Sequence, residues 1–418
     1  MTSRGIQKNP KNPKNPGIRH DPARGMQNHP WETGRRLDRE VVAAQPASSA
    51  GRERETFTMK THHADRAHAP IRRGYPGNAI LAIVVAALVL GSPLAPTVSA
   101  QSTPAAETPP ESCLSVETFP TLPGEHPHDI APAADGQGVW YTAQHAGALG
   151  LLDPATGAIE TIPLGEGSSP HGVVVGPDGA AWVTDTGLNA MVRVDAETRE
   201  LAVWPLAGEN ANLNTATIDP AGVVWFTGQN GIVGRLDPAA TPPGTVLEPL
   251  AAPRGRGPYG IDVTPQGDVY FASLAGSYLG RIVPGDGDTF TLEEIAPPTA
   301  GQGTRRVWSD SQGVLWTSQW NAGQVGRFDP ATGAWTEWRL PGAAPQAYAV
   351  YVDERDDIWL SDFGANALVR FDPDTETFAV VPLPDAGAAV RQILGRPGEV
   401  WGAESGVDAL VVVRTTCG

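Results

Sequence analysis

"VLWTSQWNAGQVGRFDPATGAWTEWRLPG", residues 314–342, reads as a strand, a turn, a second strand, a DPATG turn and a third strand. Nearly the same phrase returns at 357–384 as "DIWLSDFGANALVRFDPDTETFAVVPLP". Its first aromatic recurs as Trp140, Trp182, Trp225, Tyr270, Trp316, Trp359 and Trp401, at spacings of 42, 43, 45, 46, 43 and 42 residues. Seven copies of a period in the low forties, made of short alternating apolar segments and Gly/Asp/Pro turns, predict an all-β fold. That fold is a seven-bladed β-propeller with one four-stranded blade per copy. No helical period competes with it.

One copy names its strands. "PHGVVVGPDG" supplies the inner strand a and its turn, "AAWVTD" strand b, "AMVRVD" strand c and "ELAVWPL" the outer strand d. A lone blade leaves both faces uncovered, so a ring of seven is what buries the core. The seventh copy ends one strand short after "ALVVVRTT", whereas "CLSVETFPTLP" at 113–123 resembles a d strand and precedes the first a strand. We therefore expect it to complete blade seven and close the ring. Aligning "RTTCG" with "LLDPATG" sets Cys417 at the start of the missing c–d turn and Cys113 at its end, so a disulfide is expected to replace that hairpin. In the chain-entropy model, closing a loop of roughly 300 residues contributes on the order of 5 kcal/mol. Metal-ligand spacing such as CxxC is absent, which excludes a cysteine zinc site.

The chain of 418 residues divides by composition. Residues 1–78 are basic, polar and without periodicity, beginning with the low-complexity "QKNPKNPKNPG", and read as a disordered or mis-annotated extension. "AILAIVVAALVLG", 79–91, is too short for a comfortable membrane span. With arginines before it and Val98-Ser99-Ala100 after, the segment 79–100 has the layout of a secretory signal peptide cleaved near Gln101. Met59 would give it an ordinary n-region, so translation is expected to start there. A signal anchor and a twin-arginine route through Arg72-Arg73 are the competing readings. Residues 101–112 form a linker and 113–418 the propeller. A secreted or periplasmic protein is expected, with no membrane contact after cleavage.

Residues 101–418 keep 15 Lys+Arg against 39 Asp+Glu, a formal charge of −24, and no lysine follows Lys60. Such a surface repels phosphate backbones, so nucleic acid is excluded as a partner. A monomer with a small-molecule or peptidic ligand is expected instead.

Strand a starts, b–c loops and d–a loops share one face of the disc, the mouth. The a strands begin with His128, His171, Asn214, Tyr259, Arg305, Tyr348 and Val390, with Arg306 and Arg391 beside them. The loops add His126, His145, Asp185, Asn189, Trp320, Asp362, Asn366, Glu404 and Asp408, among others. This is the composition of a concave ligand site. His128 and His171 are candidates for proton transfer. Tyr259 and Arg305 are candidates for stabilising developing negative charge, and His126, His145, Asp185, Trp320, Tyr348, Asp362, Arg391 and Glu404 for holding a ligand. Structural readings stand beside these. A "PHG" histidine can bond the neighbouring blade's backbone, the arginines can pair with Asp362 or Glu404, and the mouth acids can bind loop amides rather than a divalent cation.

"WVTDTGLNAMVRVD", "WTSQWNAGQVGRFDP" and "WLSDFGANALVRFDP", preceded by "PHGVVVGPDG", resemble the blades of the virginiamycin B lyase (streptogramin B lyase) family over roughly 113–418. The resemblance implies seven blades and a Mg2+-dependent lyase that linearises a cyclic depsipeptide by elimination. The family's two consecutive-blade histidines correspond to Tyr348 and Val390, and its metal-binding glutamate to Ala388. The pair His128 and His171 has similar spacing on blades one and two, with Ser169 at the glutamate position. A non-catalytic binding propeller is the alternative function. A six-bladed gluconolactonase-like calcium hydrolase does not fit a count of seven.

Overall fold

The computed structural model describes residues 113–240, 244–249, 257–286 and 289–415, with the stretch 244–249 described by its backbone alone. The expected extension, signal peptide and linker, and Cys417, lie outside the described residues.

Twenty-eight strands form seven four-stranded antiparallel sheets, and the described residues contain one 3₁₀ turn, Gln144–Ala146, and no α-helix. The inner strands are Pro127–Pro132, Pro170–Val175, Leu213–Ile218, Pro258–Val263, Thr304–Ser309, Ala347–Val352 and Val390–Arg396. Each lies against the inner strands before and after it, and the last lies against the first, so the ring is closed. The closing strand is the predicted one: Leu114–Pro120 pairs antiparallel with Ala409–Thr415, in register from Leu114↔Thr415 to Pro120↔Ala409.

All seven anchor aromatics are buried in strand b. A buried indole N–H needs an acceptor, and the a–b turn supplies one. Trp225 donates to Asp219, Trp316 to Asp310 and Trp359 to Asp353, at 2.9, 3.0 and 2.9 Å. In these three blades the Asp–Trp spacing locks the turn to its own blade, whereas Trp140 Nε1 is buried without a partner and Trp401 donates to Glu399 at 2.8 Å.

Two residues after the anchor, a hydroxyl joins successive blades. Thr142 accepts from the Asp129 N–H of its own inner strand and donates to the His171 carbonyl of the next, both at 2.9 Å. Thr184 accepts from Gly172 N–H at 2.8 Å and donates to the Asn214 carbonyl. Thr227 and Ser318 donate likewise to the Tyr259 and Tyr348 carbonyls, at 2.5 and 2.7 Å. These clasps fix the backbone of the residues that line the mouth.

The a–b pairing slips by one residue at the start of every inner strand, as between Pro127 and Ile130 or Thr304 and Arg306. A bulge places two successive residues on one side of a strand. Both His128 and Asp129, and both Arg305 and Arg306, consequently make contacts with inner strands of other blades.

Candidate active site at the propeller mouth

Arg306 of blade five reaches across the axis to Asp129 of blade one, Nη2 to Oδ1 at 3.0 Å, with side chains only 3% and 1% exposed. Its Nη1 also donates to Thr215 Oγ1 of blade three, at 2.6 Å. This ion pair floors the mouth. A charge pair so deeply buried holds only when hydrogen bonds complete it, and His128 Nδ1, 2.8 Å from Asp129 Oδ1, adds another. Asp129 accepts there, which assigns the proton to Nδ1 and leaves Nε2 as the acceptor nitrogen.

The His128 and His171 rings lie 3.8 Å apart, centre to centre. Burial first, and then Arg391 and Arg306, hold His128 well below the usual imidazole range. Burial and then His128 do the same to His171. Both rings are therefore neutral at neutral pH. They are not equivalent, because Asn214 engages both nitrogens of His171. Nδ1 is 3.2 Å from the Asn214 carbonyl and Nε2 is 3.3 Å from its side-chain amide. His171 thus makes the backbone bond to the neighbouring blade that "PHG" allowed, while His128 turns to a carboxylate.

A second group faces them. Tyr259 and Tyr348 share a 2.6 Å hydrogen bond between hydroxyls, and Arg305 Nη2 donates to the Tyr259 hydroxyl at 2.8 Å. The Arg305 guanidinium lies 3.5 Å from the Tyr348 ring centre and 5.2 Å from that of Trp320. Burial alone would raise both phenols. At Tyr348 Arg305 and Arg391 outweigh it and bring the group down to about 8, whereas burial dominates at Tyr259 and pushes it up to about 12. His171 connects the two groups, its ring 6.0 Å edge-on from Tyr259.

Other expected ligand residues have structural work. Asp185 Oδ1 accepts from the Ser169 and Leu188 amides, both at 2.9 Å, and Asp362 Oδ1 from the Gln346 and Gly364 amides at 2.7 and 2.8 Å. Through these oxygens both acids pin loops, while Asp362 Oδ2 is buried without a partner. Asn189, Asn366 and Asp408 occupy a b–c turn position with φ of 48°, 50° and 53°. That left-handed conformation suits Asn and Asp, and each side chain accepts an amide of the following d–a loop, at 2.9, 2.9 and 2.8 Å. Arg305 and Arg306 pair with neither Asp362 nor Glu404, because Asp129 and the phenols lie nearer the axis. Arg391 donates to Ser405 Oγ at 2.6 Å. His126 and His145 stack on each other at the rim, centres 4.1 Å apart. Glu404 is one methylene longer than its aspartate counterparts and both its carboxylate oxygens are buried without a partner. Burial and then Asp385 raise it to about 7.

The donor atoms of His128, Asp129 and His171 lie within 4.8 Å of one another. Magnesium requires hard oxygen ligands in octahedral array. This set offers two imidazoles and one carboxylate that already accepts from Arg306, and the counterpart positions Ala388 and Val390 are buried and apolar. The residues do not fit magnesium.

Fold and mouth together define a seven-bladed propeller carrying a cationic, histidine- and tyrosine-lined axial site. The Virginiamycin B lyase family model matches residues 123–413, and the chain belongs to that family. A virginiamycin B lyase of Nocardia farcinica is 30% identical over 205 residues, which are 49% of this chain and 66% of that protein. A gluconolactonase of Zymomonas mobilis is 38% identical over 87 residues, 20% of this chain and 24% of its own length. The chain thus spans less than two thirds of either curated relative. Among solved structures, a streptogramin B lyase superposes with a TM-score of 0.66 at 22% identity, over 73% of this chain and 98% of that one. A catalytically inactive virginiamycin B lyase of Staphylococcus aureus, solved with quinupristin, gives 0.65 at 19% identity, over 72% and 99%. At such identities the structures establish a shared fold.

Proposed function

We propose that the mouth opens a cyclic ester or depsipeptide by C–O elimination, with His128 as the base. The carrying observation is the pairing of His128 with Asp129. Its Nδ1 is hydrogen-bonded, its ring is neutral and its Nε2 is the acceptor nitrogen, close enough to Arg305 to feel its charge. Nε2 takes the proton α to a carbonyl on the alcohol side of the ester. The C–H electrons form the new double bond, the C–O bond breaks, and its electron pair leaves on oxygen as a carboxylate. The imidazolium is stabilised by Asp129 and then yields its proton to solvent. Arg305 receives the developing carboxylate, with the Tyr259 hydroxyl beside it. Charge arising opposite a fixed guanidinium in a partly dry site is stabilised more than in water. His171 positions the His128 ring and does not touch the reacting atoms.

Quinupristin, the ligand of the Staphylococcus aureus relative, is the first substrate to test. Loss of the intact cyclic compound is followed chromatographically. Removing a general base typically costs 10²–10⁴-fold, so His128→Ala should lose at least about a hundredfold and His171→Asn far less. Undiminished turnover in His128→Ala overturns the assignment, and saturable binding without product leaves a non-catalytic binding module.

The same reading includes export as a monomer and a Cys113–Cys417 bridge. Intact-mass and peptide mapping of the secreted product should find an N-terminus near Gln101 and one cross-linked peptide joining the two cysteines. Two separate thiols would remove the proposed fastening.

A further inference from the structure

We propose that the mouth carries a subsite for a carboxylate borne on an aromatic or flat apolar body, with Arg305 binding the carboxylate and Trp320 and Phe363 the body. Three observations lead there. Arg306 has Asp129 as its counter-charge, whereas the hydrogen bond described for Arg305 goes to a neutral phenol; the buried Nε of each meets no acceptor. A partly buried guanidinium without an anion carries a desolvation cost, and Asp129, already bonded to Arg306 and His128, supplies no counter-charge.

Next to this cation stands an aromatic wall. Phe363 lies parallel to Tyr348, centres 4.8 Å apart at 8°, and Trp320 meets Phe363 edge-on at 5.4 Å and Tyr348 at 5.6 Å. Trp320 and Phe363 follow strand b in blades five and six and remain partly exposed, so the wall faces the opening. Finally, the guanidinium lies over the Tyr348 ring, 3.5 Å from its centre, with Trp320, perpendicular to that ring, 5.2 Å away. That contact fixes the fork in one plane, the preorganisation that bidentate carboxylate binding uses.

This subsite shares Arg305 with the elimination proposed above and names the product side of that site, but it does not need the elimination to occur. Isothermal titration of the purified protein with benzoate, and with its neutral isostere benzamide, separates the two. Charge-assisted hydrogen bonds are about twice as strong as neutral ones, so benzoate should bind about tenfold to a hundredfold tighter. Arg305→Gln should erase the preference, and Trp320→Ala should weaken benzoate while leaving acetate unchanged. Equal affinity for benzoate and benzamide in the unsubstituted protein overturns the proposal, whether or not Arg305→Gln folds. A benzoate preference without quinupristin turnover removes the lyase reading alone, and turnover without that preference removes the subsite alone.

Discussion

Replacing Asp129 by Asn takes one charge from the floor of the mouth and leaves the Arg306 guanidinium, 3% exposed, without its anion. At 3.0 Å the pair's attraction is about 5 kcal/mol for an effective dielectric near 20. Part of that offsets the desolvation of both groups, so the net worth of the pair is small while the loss of one partner is large. Asp129→Asn should therefore cost about 3–5 kcal/mol in urea unfolding. The denaturant slope should be unchanged, since the surface exposed on unfolding is the same. Asp129→Asn combined with Arg306→Met removes both charges and should recover more than half of that loss, a coupling that additive sites do not show. A cost below about 1 kcal/mol for Asp129→Asn, or a double variant as unstable as the two single effects added together, would refute the buried axial pair.

Glu404 has a folded-state value raised from 4.5 to about 7, first by burial and then by Asp385. Its penalty is absent below pH 4.5 and complete above pH 7, so Glu404→Gln should be more stable than the parent by about 3 kcal/mol at pH 8 and nearly equal to it at pH 4. A pH-independent difference would contradict this. Absorbance titration near 295 nm should find a phenol ionising at about pH 8, missing from Tyr348→Phe, because Arg305 and Arg391 outweigh burial there. If every tyrosine titrates at 10 or above, the guanidinium cluster does not act on Tyr348. Thr184→Val should cost about 1–3 kcal/mol in urea unfolding by orphaning the Gly172 amide and removing one of the two bonds to the Asn214 carbonyl. A neutral result would show that the clasp contributes nothing.

The seven anchors, the turns and the closing strand Leu114–Pro120 were legible because period and alternation report blade packing directly. The mouth was legible as a list of strand starts, which found His128, His171, Tyr259, Arg305 and Tyr348. It missed Asp129 and Phe363. Asp129 reaches the axis only because a bulge breaks the strand's alternation, and no residue type in "PHDIAP" marks that bulge. Asn189, Asn366 and Asp408 count among the polar residues of the mouth loops, but their regular recurrence at the b–c turn reflects a left-handed turn that every blade needs. Asp185 uses both oxygens on Ser168 and loop amides and Asp362 uses one on loop amides, while Glu404, in the same phrase, leaves both oxygens unpartnered. That difference shows only once the d–a loop is in place.

Elimination at a mouth whose base is His128 leaves its mark on the mass of the product. Opening a ring ester by elimination rearranges bonds without consuming water. The linear product from quinupristin should therefore have the mass of the substrate, with a new carbon–carbon double bond conjugated to a carbonyl in its ultraviolet spectrum. A product heavier by one water, lacking that absorbance, would mean hydrolysis and contradict the account.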